Sequence, residues 1–375
     1  MSDMTGRERL VRVIHQQPVD RIPVSPFIHV NYVKEFFGTH DVDWTARTPE
    51  VYRHFGFDVM HRNCTPKFDP YGPPGPGWEV DTAVEKDGRD ETRTTIIHTP
   101  KGDLRAVEAL RWTYEYDAEE SPIEYLVKTE HDLELMMEYQ PPPGPANASD
   151  IRRAVAAVGE DGIAGPWIFG AFAGVAYLYR KLDDLLMDPL LRPEFYDRLI
   201  TYCLERYTKF VAQVLDARPD FVSYGGNIAN AKTVGPAFFR QYVFPYEKRF
   251  IDFIQGHSVP VLYHNCGYGR KLLPLYPALG MRAYESLTPP PYGNTVLAEA
   301  VEVFGLGTTL VGNLDQIDML RHGTPGEIDA AVKQVIDTVR GRCHFILGTT
   351  DYFNENTPRQ NIHALAEAGL RYGEA

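Results

Sequence analysis

A histidine and a cysteine two residues apart, at the end of an apolar run, are the side chains here best suited to chemistry. The run VPVLYHNCG at 259–267 reads as a buried strand ending in His264, Asn265, Cys266 and Gly267. Imidazole and thiolate are ligands that zinc favours, and in extended backbone residues i and i+2 project to the same side. His264 and Cys266 can therefore grip one ion as a pair, with Gly267 letting the backbone turn away at once. The plainer alternative is a strand that ends in a buried histidine and a free cysteine, since cysteine is commonly just a small core residue.

Such a pair needs elements that bring other polar groups to it. Strand-like runs fall at 21–30, 59–63, 162–169, 220–224, 259–264, 282–285, 308–311 and 344–347. Helix-period segments at 176–186, 194–217, 236–255, 295–304 and 324–339 lie between many of them. Thr5 and Glu8 form a capping box that opens a first helix, closed by Pro18. Eight strand-like runs with helical crossovers match an α/β fold of the (β/α)8 TIM-barrel type. An open doubly wound sheet is the structural rival, but no G-x-G-x-x-G follows a strand. The stretch 78–106 breaks the alternation with two Thr-rich runs around Asp87-Gly88, a hairpin signature. The expectation is one barrel domain over 1–375, with a hairpin insertion at 70–115 after the second strand.

In such barrels the chemistry sits at the C-terminal ends of the strands. His29 and Tyr32 fall at the first of these ends, and His61, Arg62, Asn63 and Cys64 at the second. Trp167, Phe169 and Phe172 follow the third, Tyr224 and Asn227 the fourth, and His264 and Cys266 the fifth. Glu285 ends the sixth, Asn313 and Asp315 the seventh, and Asp351 the eighth. His264, Cys266, Glu285 and Asp351 would make a mixed four-ligand site, in which a carboxylate can leave to open a position. Such a site would lower the pKa of a bound thiol, alkoxide or water. Cys64 lies at the right end to compete for the metal, Cys343 lies at the start of the last strand, and Cys203 falls inside a helical run.

Trp167, Phe169, Phe172, Tyr32 and Tyr224 could wall an aromatic substrate, or could be ordinary barrel packing. His29, His61 and Arg62 could orient a phenol or carboxylate, and either histidine could give a proton to a departing oxygen.

A formal charge of -13 argues against nucleic acid, which needs a basic footprint. No apolar run is long enough to span a bilayer, the N-terminus has no apolar signal core, and four cysteines are too few for a disulfide scaffold. A cytoplasmic monomer or homodimer is expected.

Several segments, in order along most of the chain, resemble the uroporphyrinogen decarboxylase superfamily. They include ERLVRVI at 8–14, PVDRIPV at 18–24, SYGG at 223–226, FRQYVFPY at 239–246, HNCG at 264–267, GNLD at 312–315, GTP at 323–325 and TPRQNI at 357–362. The resemblance implies a (β/α)8 barrel. True uroporphyrinogen decarboxylases carry an arginine-rich loop after the first strand and an essential aspartate after the second. Here the first loop, 29–34, has no arginine, and the second strand ends in His61, Arg62, Asn63 and Cys64.

The zinc- and corrinoid-dependent methyltransferases are the closer branch, and they are similar to the catalytic barrel of cobalamin-independent methionine synthase. Their His-x-Cys falls on His264 and Cys266, their glutamate on Glu285, and their third ligand, usually cysteine, on Asp351. A carboxylate there makes the metal harder and suits an oxygen ligand better than a thiol. The resemblance therefore implies an O-demethylase component, with zinc as cofactor. It would move a methyl group from a methoxylated small molecule, such as an aromatic one, to a corrinoid carried by a separate protein. The chain has no Asp-x-His-x-x-Gly signature of its own. A metal-independent decarboxylase or lyase is the alternative, and a barrel that only binds a tetrapyrrole the third reading.

Overall fold

Thr5 and Glu8 open the first helix, Gly6–Ile14, by exchanging side-chain hydrogen bonds with each other's backbone N–H. The computed structural model describes residues 4–353 and 355–374; the extreme ends of the expected 1–375 domain and residue 354 lie outside them. The chain divides into two compact units. One comprises residues up to Pro66, Ala148–Phe169 and the chain from Ala217 onward; the other comprises Lys67–Asn147 and Gly170–Asp216.

The strands are β1 (Val59–His61), β2 (Glu79–Asp87), β3 (Asp90–Thr99), β4 (Gly102–Trp112), β5 (Ala118–Glu124), β6 (Gly162–Ala164), β7 (Trp167–Phe169), β8 (Val222–Gly225), β9 (Val261–His264), β10 (Ala283–Ser286), β11 (Thr309–Leu314) and β12 (Phe345–Thr349). The first unit holds a six-stranded sheet, in the order β12-β11-β10-β9-β8-β7, and a two-stranded sheet of β1 and β6. All these pairings are parallel. Their strands are buried almost throughout, as expected of parallel sheets covered on both faces.

Every predicted run except 21–30 contains strand. Pro23 and Pro26 remove backbone donors there, leaving an isolated parallel bridge between Val24 and Leu347. Even so, Leu347 N–H donates to the Pro23 carbonyl (2.9 Å), and Asp58 N–H to that of Val24 (3.0 Å). Gly165-Pro166 divides 162–169 into β6 and β7. A Cβ on Gly165 would lie 2.0 Å from the Phe221 carbonyl oxygen, so the close approach requires glycine.

The helix Gly6–Ile14 presents Leu10, Val13 and Ile14 to one side chain from each of several strands: Met60, Ile163, Leu262, Ala283, Val311 and Ile346. Beside this apolar layer Asp58 anchors the 20–24 segment. It accepts from Arg9 (2.6 Å), Arg21 (2.8 Å) and the Val24 N–H (2.9 Å).

In the second unit β2 to β5 form an antiparallel sheet. The predicted hairpin is its first two strands, paired from Glu79 with His98 to Asp87 with Asp90. Its turn is therefore Gly88-Arg89, with Gly88 at φ +60°, one residue beyond the expected turn. The sheet runs on to Glu124, past the expected limit of 115. The helices Glu130–Tyr139, Ala171–Leu178, Leu182–Leu191 and Pro193–Leu215 belong to the same unit, and the last buries Cys203. Among the described residues no helix is long and apolar enough to cross a membrane.

Replacing Asp58 with alanine removes the carboxylate shared by Arg9, Arg21 and the Val24 N–H, leaving the Arg9 guanidinium paired with Asp20 alone. The expected loss is about 1–3 kcal/mol in urea unfolding, the range for lost hydrogen bonds to charged groups, because Asp20 still compensates the Arg9 guanidinium. An unchanged unfolding midpoint would show that these charges do not hold the 20–24 segment.

Candidate active site

The two-residue period of a strand puts polar chemistry directly beyond the apolar layer. On β9 Leu262 belongs to that layer and His264 follows on the same side; on β10 the same step leads from Ala283 to Glu285. His264 and Glu285 are register partners. Just past β1, Arg62 follows Met60 in the same way. After Cys266 the chain turns at Gly267, whose φ of +83° suits glycine and whose N–H donates to Thr288 Oγ1 (3.0 Å).

His264, Cys266 and Asp351 offer one ligand atom each, all within 4.8 Å of one another; among the described residues they are the only such group of three or more. Asp351 Oδ2 lies 3.8 Å from His264 Nε2, while its Oδ1 accepts from the Tyr352 N–H (2.8 Å). His264 Nδ1 is 2.8 Å from Glu285 Oε2. Glu285 is in turn gripped by both terminal nitrogens of Arg62, Nη1 at 2.8 Å and Nη2 closer still. Glu285, expected as a fourth ligand, is not part of this group of three. Its oxygens are engaged by Arg62 and His264, and it stands behind the imidazole, where a carboxylate fixes ring orientation. Cys64 lies outside the cluster, and Cys343 Sγ faces the Val339 carbonyl.

His264 and Asp351 line a cavity of about 380 Å³ together with Phe27, His29, Trp44, Arg62, Asn63, Trp167, Asn227 and Tyr352. The Arg62 guanidinium sits 4.4 Å from the Phe27 ring centroid. Phe27 stacks on Trp167 at 5.9 Å, and Trp167 meets the His264 ring edge-on at 5.2 Å. His29 lies 4.9 Å from the Tyr352 ring. The predicted His29, Arg62, Asn63, Trp167 and Asn227 therefore line one cavity. The Asn63 amide nitrogen is already committed to Ile28 O (3.1 Å) and Thr48 Oγ1 (2.9 Å).

Tyr32, His61, Phe169 and Tyr224 do not line this cavity. Tyr32 is on the helix Val30–Phe37 rather than a strand, and packs on Phe353. Tyr224 points to the opposite face of its strand from the site, stacking on Tyr263 and bonding Glu247. Phe169 is half-buried at the end of β7. His61 is fully buried, with Nε2 on the Thr45 carbonyl (2.9 Å) and Nδ1 facing the Asn63 N–H (3.2 Å). With both ring nitrogens so engaged, it is not placed to serve as the proton donor expected from sequence. Phe27, Trp44 and Tyr352 went unrecognised in the sequence. Phe27 could have been found two residues before His29, and Tyr352 beside Asp351; Trp44, which opens the helix Trp44–Phe55, carries no such signal.

Burial would raise the Glu285 carboxyl, but the Arg62 charge and the hydrogen bonds from His264 and Arg62 outweigh it and hold the group down to about 2. For His264 burial disfavours the charged ring, yet Cys266, Glu285 and Asp351 together keep its proton well above the usual histidine range. The cluster demands positive charge.

Burial drives His61 down to about 4 from an ordinary 6.5. As pH falls the unfolded chain takes up that proton first. Stability should therefore drop between roughly pH 6.5 and 4, by on the order of 3 kcal/mol. Glu285, depressed rather than raised, adds a further loss between roughly pH 4.5 and 2, because its carboxylate also protonates first in the unfolded chain. Urea unfolding across this range checks the sign, and His61→Asn should flatten the upper part of the slope.

A model of the family described as Uroporphyrinogen decarboxylase (URO-D) matches residues 107–372. The methylcobamide:CoM methyltransferase MtbA of Methanosarcina mazei is 24% identical over 374 residues, covering 99% of each chain. Its namesake from Methanosarcina acetivorans is 22% identical over the same length and coverage. The solved structure of a methyltransferase from Methanosarcina mazei shares the fold, with a TM-score of 0.69 at 15% identity over 99% of each chain. The chain belongs to the uroporphyrinogen decarboxylase family and, within that superfamily, to the branch of corrinoid-dependent methyltransferases.

Proposed function

We propose that this enzyme moves a methyl group from a methoxylated small molecule, an aromatic ether in the first instance, to the corrinoid of a separate protein, using zinc held by His264, Cys266 and Asp351. The observation that carries this reading is the imidazole–thiol–carboxylate cluster beside an aromatic-walled cavity of about 380 Å³. The backbone hydrogen bonds that join residues 23–25 to β12 and β1 fit a closed (β/α)8 barrel with this cluster at its mouth.

The donor set suits zinc. His264 gives Nδ1 to Glu285 and turns Nε2 toward Asp351, leaving one nitrogen, one sulfur and one oxygen facing a common point. Zinc bound there supplies Lewis acidity toward an ether or departing oxygen. Asp351 in place of a second thiolate favours hard, oxygen-bearing substrates. Phe27, Trp167 and Tyr352 supply aromatic surface beside which a flat ring packs, and His29 in the same cavity holds a proton for the oxygen that leaves. Asn227 supplies a polar contact that fixes the ring's orientation.

A thiol acceptor is the second reading, favoured by the names of the relatives, which include a methylated-thiol–coenzyme M methyltransferase of Methanosarcina mazei, 27% identical over 41% of this chain and 42% of its own. The purified protein is expected to carry about one zinc per chain, lost in Cys266→Ala. It should methylate cob(I)alamin from methoxylated aromatics faster than it methylates coenzyme M from methylcobalamin. A faster thiol reaction overturns the ether assignment; decarboxylation without metal overturns methyl transfer altogether.

A further inference from the structure

We propose that Arg62 is a positioning residue: it holds Glu285 away from a metal at His264, Cys266 and Asp351, and so keeps a fourth coordination position open for substrate. This rests on the zinc reading above.

The geometry is specific. Glu285 Oε1 is bound by Arg62 Nη2, while Oε2 is shared between Arg62 Nη1 and His264 Nδ1, both at 2.8 Å. The guanidinium is pinned in turn, over the Phe27 ring at 4.4 Å and with Nη2 3.1 Å from Met60 Sδ. Arg62 and Glu285 are 3% and 2% exposed, so water does not compete for either. A guanidinium presents a rigid planar fork that matches a carboxylate, which a flexible ammonium does not. Without Arg62, Glu285 would be a buried carboxylate tied only to His264, beside a divalent cation. In a medium of low dielectric it would turn to the metal. Three protein ligands with an open position mark a catalytic zinc, and four mark a closed structural one. On this chain the choice between them falls to a residue that is not itself one of the ligands.

The test uses the full chain loaded with Co²⁺ alone, read by its visible absorption, with azide as a small added ligand. Wild type should show a thiolate-to-cobalt band, absent in Cys266→Ala, and its spectrum should shift when azide binds. Arg62→Met should raise the apparent azide dissociation constant by roughly tenfold or more, and Arg62→Met/Glu285→Gln should restore the wild-type response. An equal azide response in wild type and Arg62→Met overturns the proposal. So does a wild type blind to azide whose Glu285→Gln variant responds, since Glu285 would then already ligate with Arg62 in place; that comparison holds even if Arg62→Met does not fold. A wild type lacking the thiolate band overturns the metal reading itself, a distinct failure.

Discussion

The buried chain Arg62–Glu285–His264 is the constraint on which the site depends. Moving charged groups out of water costs several kcal/mol each, and their mutual attraction offsets that only with good geometry and saturated hydrogen bonds. Both carboxylate oxygens here meet the guanidinium fork, one of them also meets the imidazole, and an aromatic ring lies near the guanidinium. The three side chains come from neighbourhoods far apart in sequence, the end of β1, β9 and β10. Each needs the other two in order to remain charged or oriented while buried. A chain of this kind transmits position: the tilt of the imidazole, and so the direction of Nε2, depends on Arg62 through the carboxylate between them.

The parallel sheet makes this possible by giving each strand two uses. Toward the apolar layer and the site run Leu262 then His264, and Ala283 then Glu285. On the alternate face run Tyr263 and Tyr284, in register with Tyr224. Those tyrosines stack in sequence, Tyr224 on Tyr263 at 5.4 Å and Tyr263 on Tyr284 at 6.3 Å. The two faces of the sheet thus differ: one carries polar groups that satisfy one another, the other a row of stacked rings. Below the polar groups the helix Gly6–Ile14 supplies hydrocarbon, so water has no route to them from that side.

Charge has been concentrated unevenly around this arrangement. Cys266, Asp351 and Glu285 surround His264, with Arg62 as the cationic partner of Glu285. Such an assembly retains a proton on the imidazole or accepts a divalent ion in its place. The cavity that His264 and Asp351 line combines the rings of Phe27, Trp44, Trp167 and Tyr352 with polar side chains such as His29, Arg62, Asn63 and Asn227, so a substrate entering there meets both flat apolar surface and fixed polar groups.

Sequence alone determined the alternation of strands and helices, the capping box at Thr5, and the pairing of His264 with Cys266. Each follows from local spacing: apolar period, cap chemistry, and the common side of residues i and i+2. It also placed Arg62, Glu285 and Asp351 at strand ends, and the family membership agrees with the order of its motifs. What it could not determine was which end residues meet. His61 and Arg62 are neighbours in sequence, yet the strand alternation sends one toward the Thr45 backbone and the other into the site. Tyr32 and Tyr224 have the chemistry of a substrate wall, but helix geometry and strand phase turn them into packing. Glu285 has the chemistry of a ligand, and only the folded chain shows its oxygens taken by Arg62, 223 residues away, and by His264. Local pattern fixes what a side chain can do; the burial and partners that select among those possibilities exist only once distant strands are side by side.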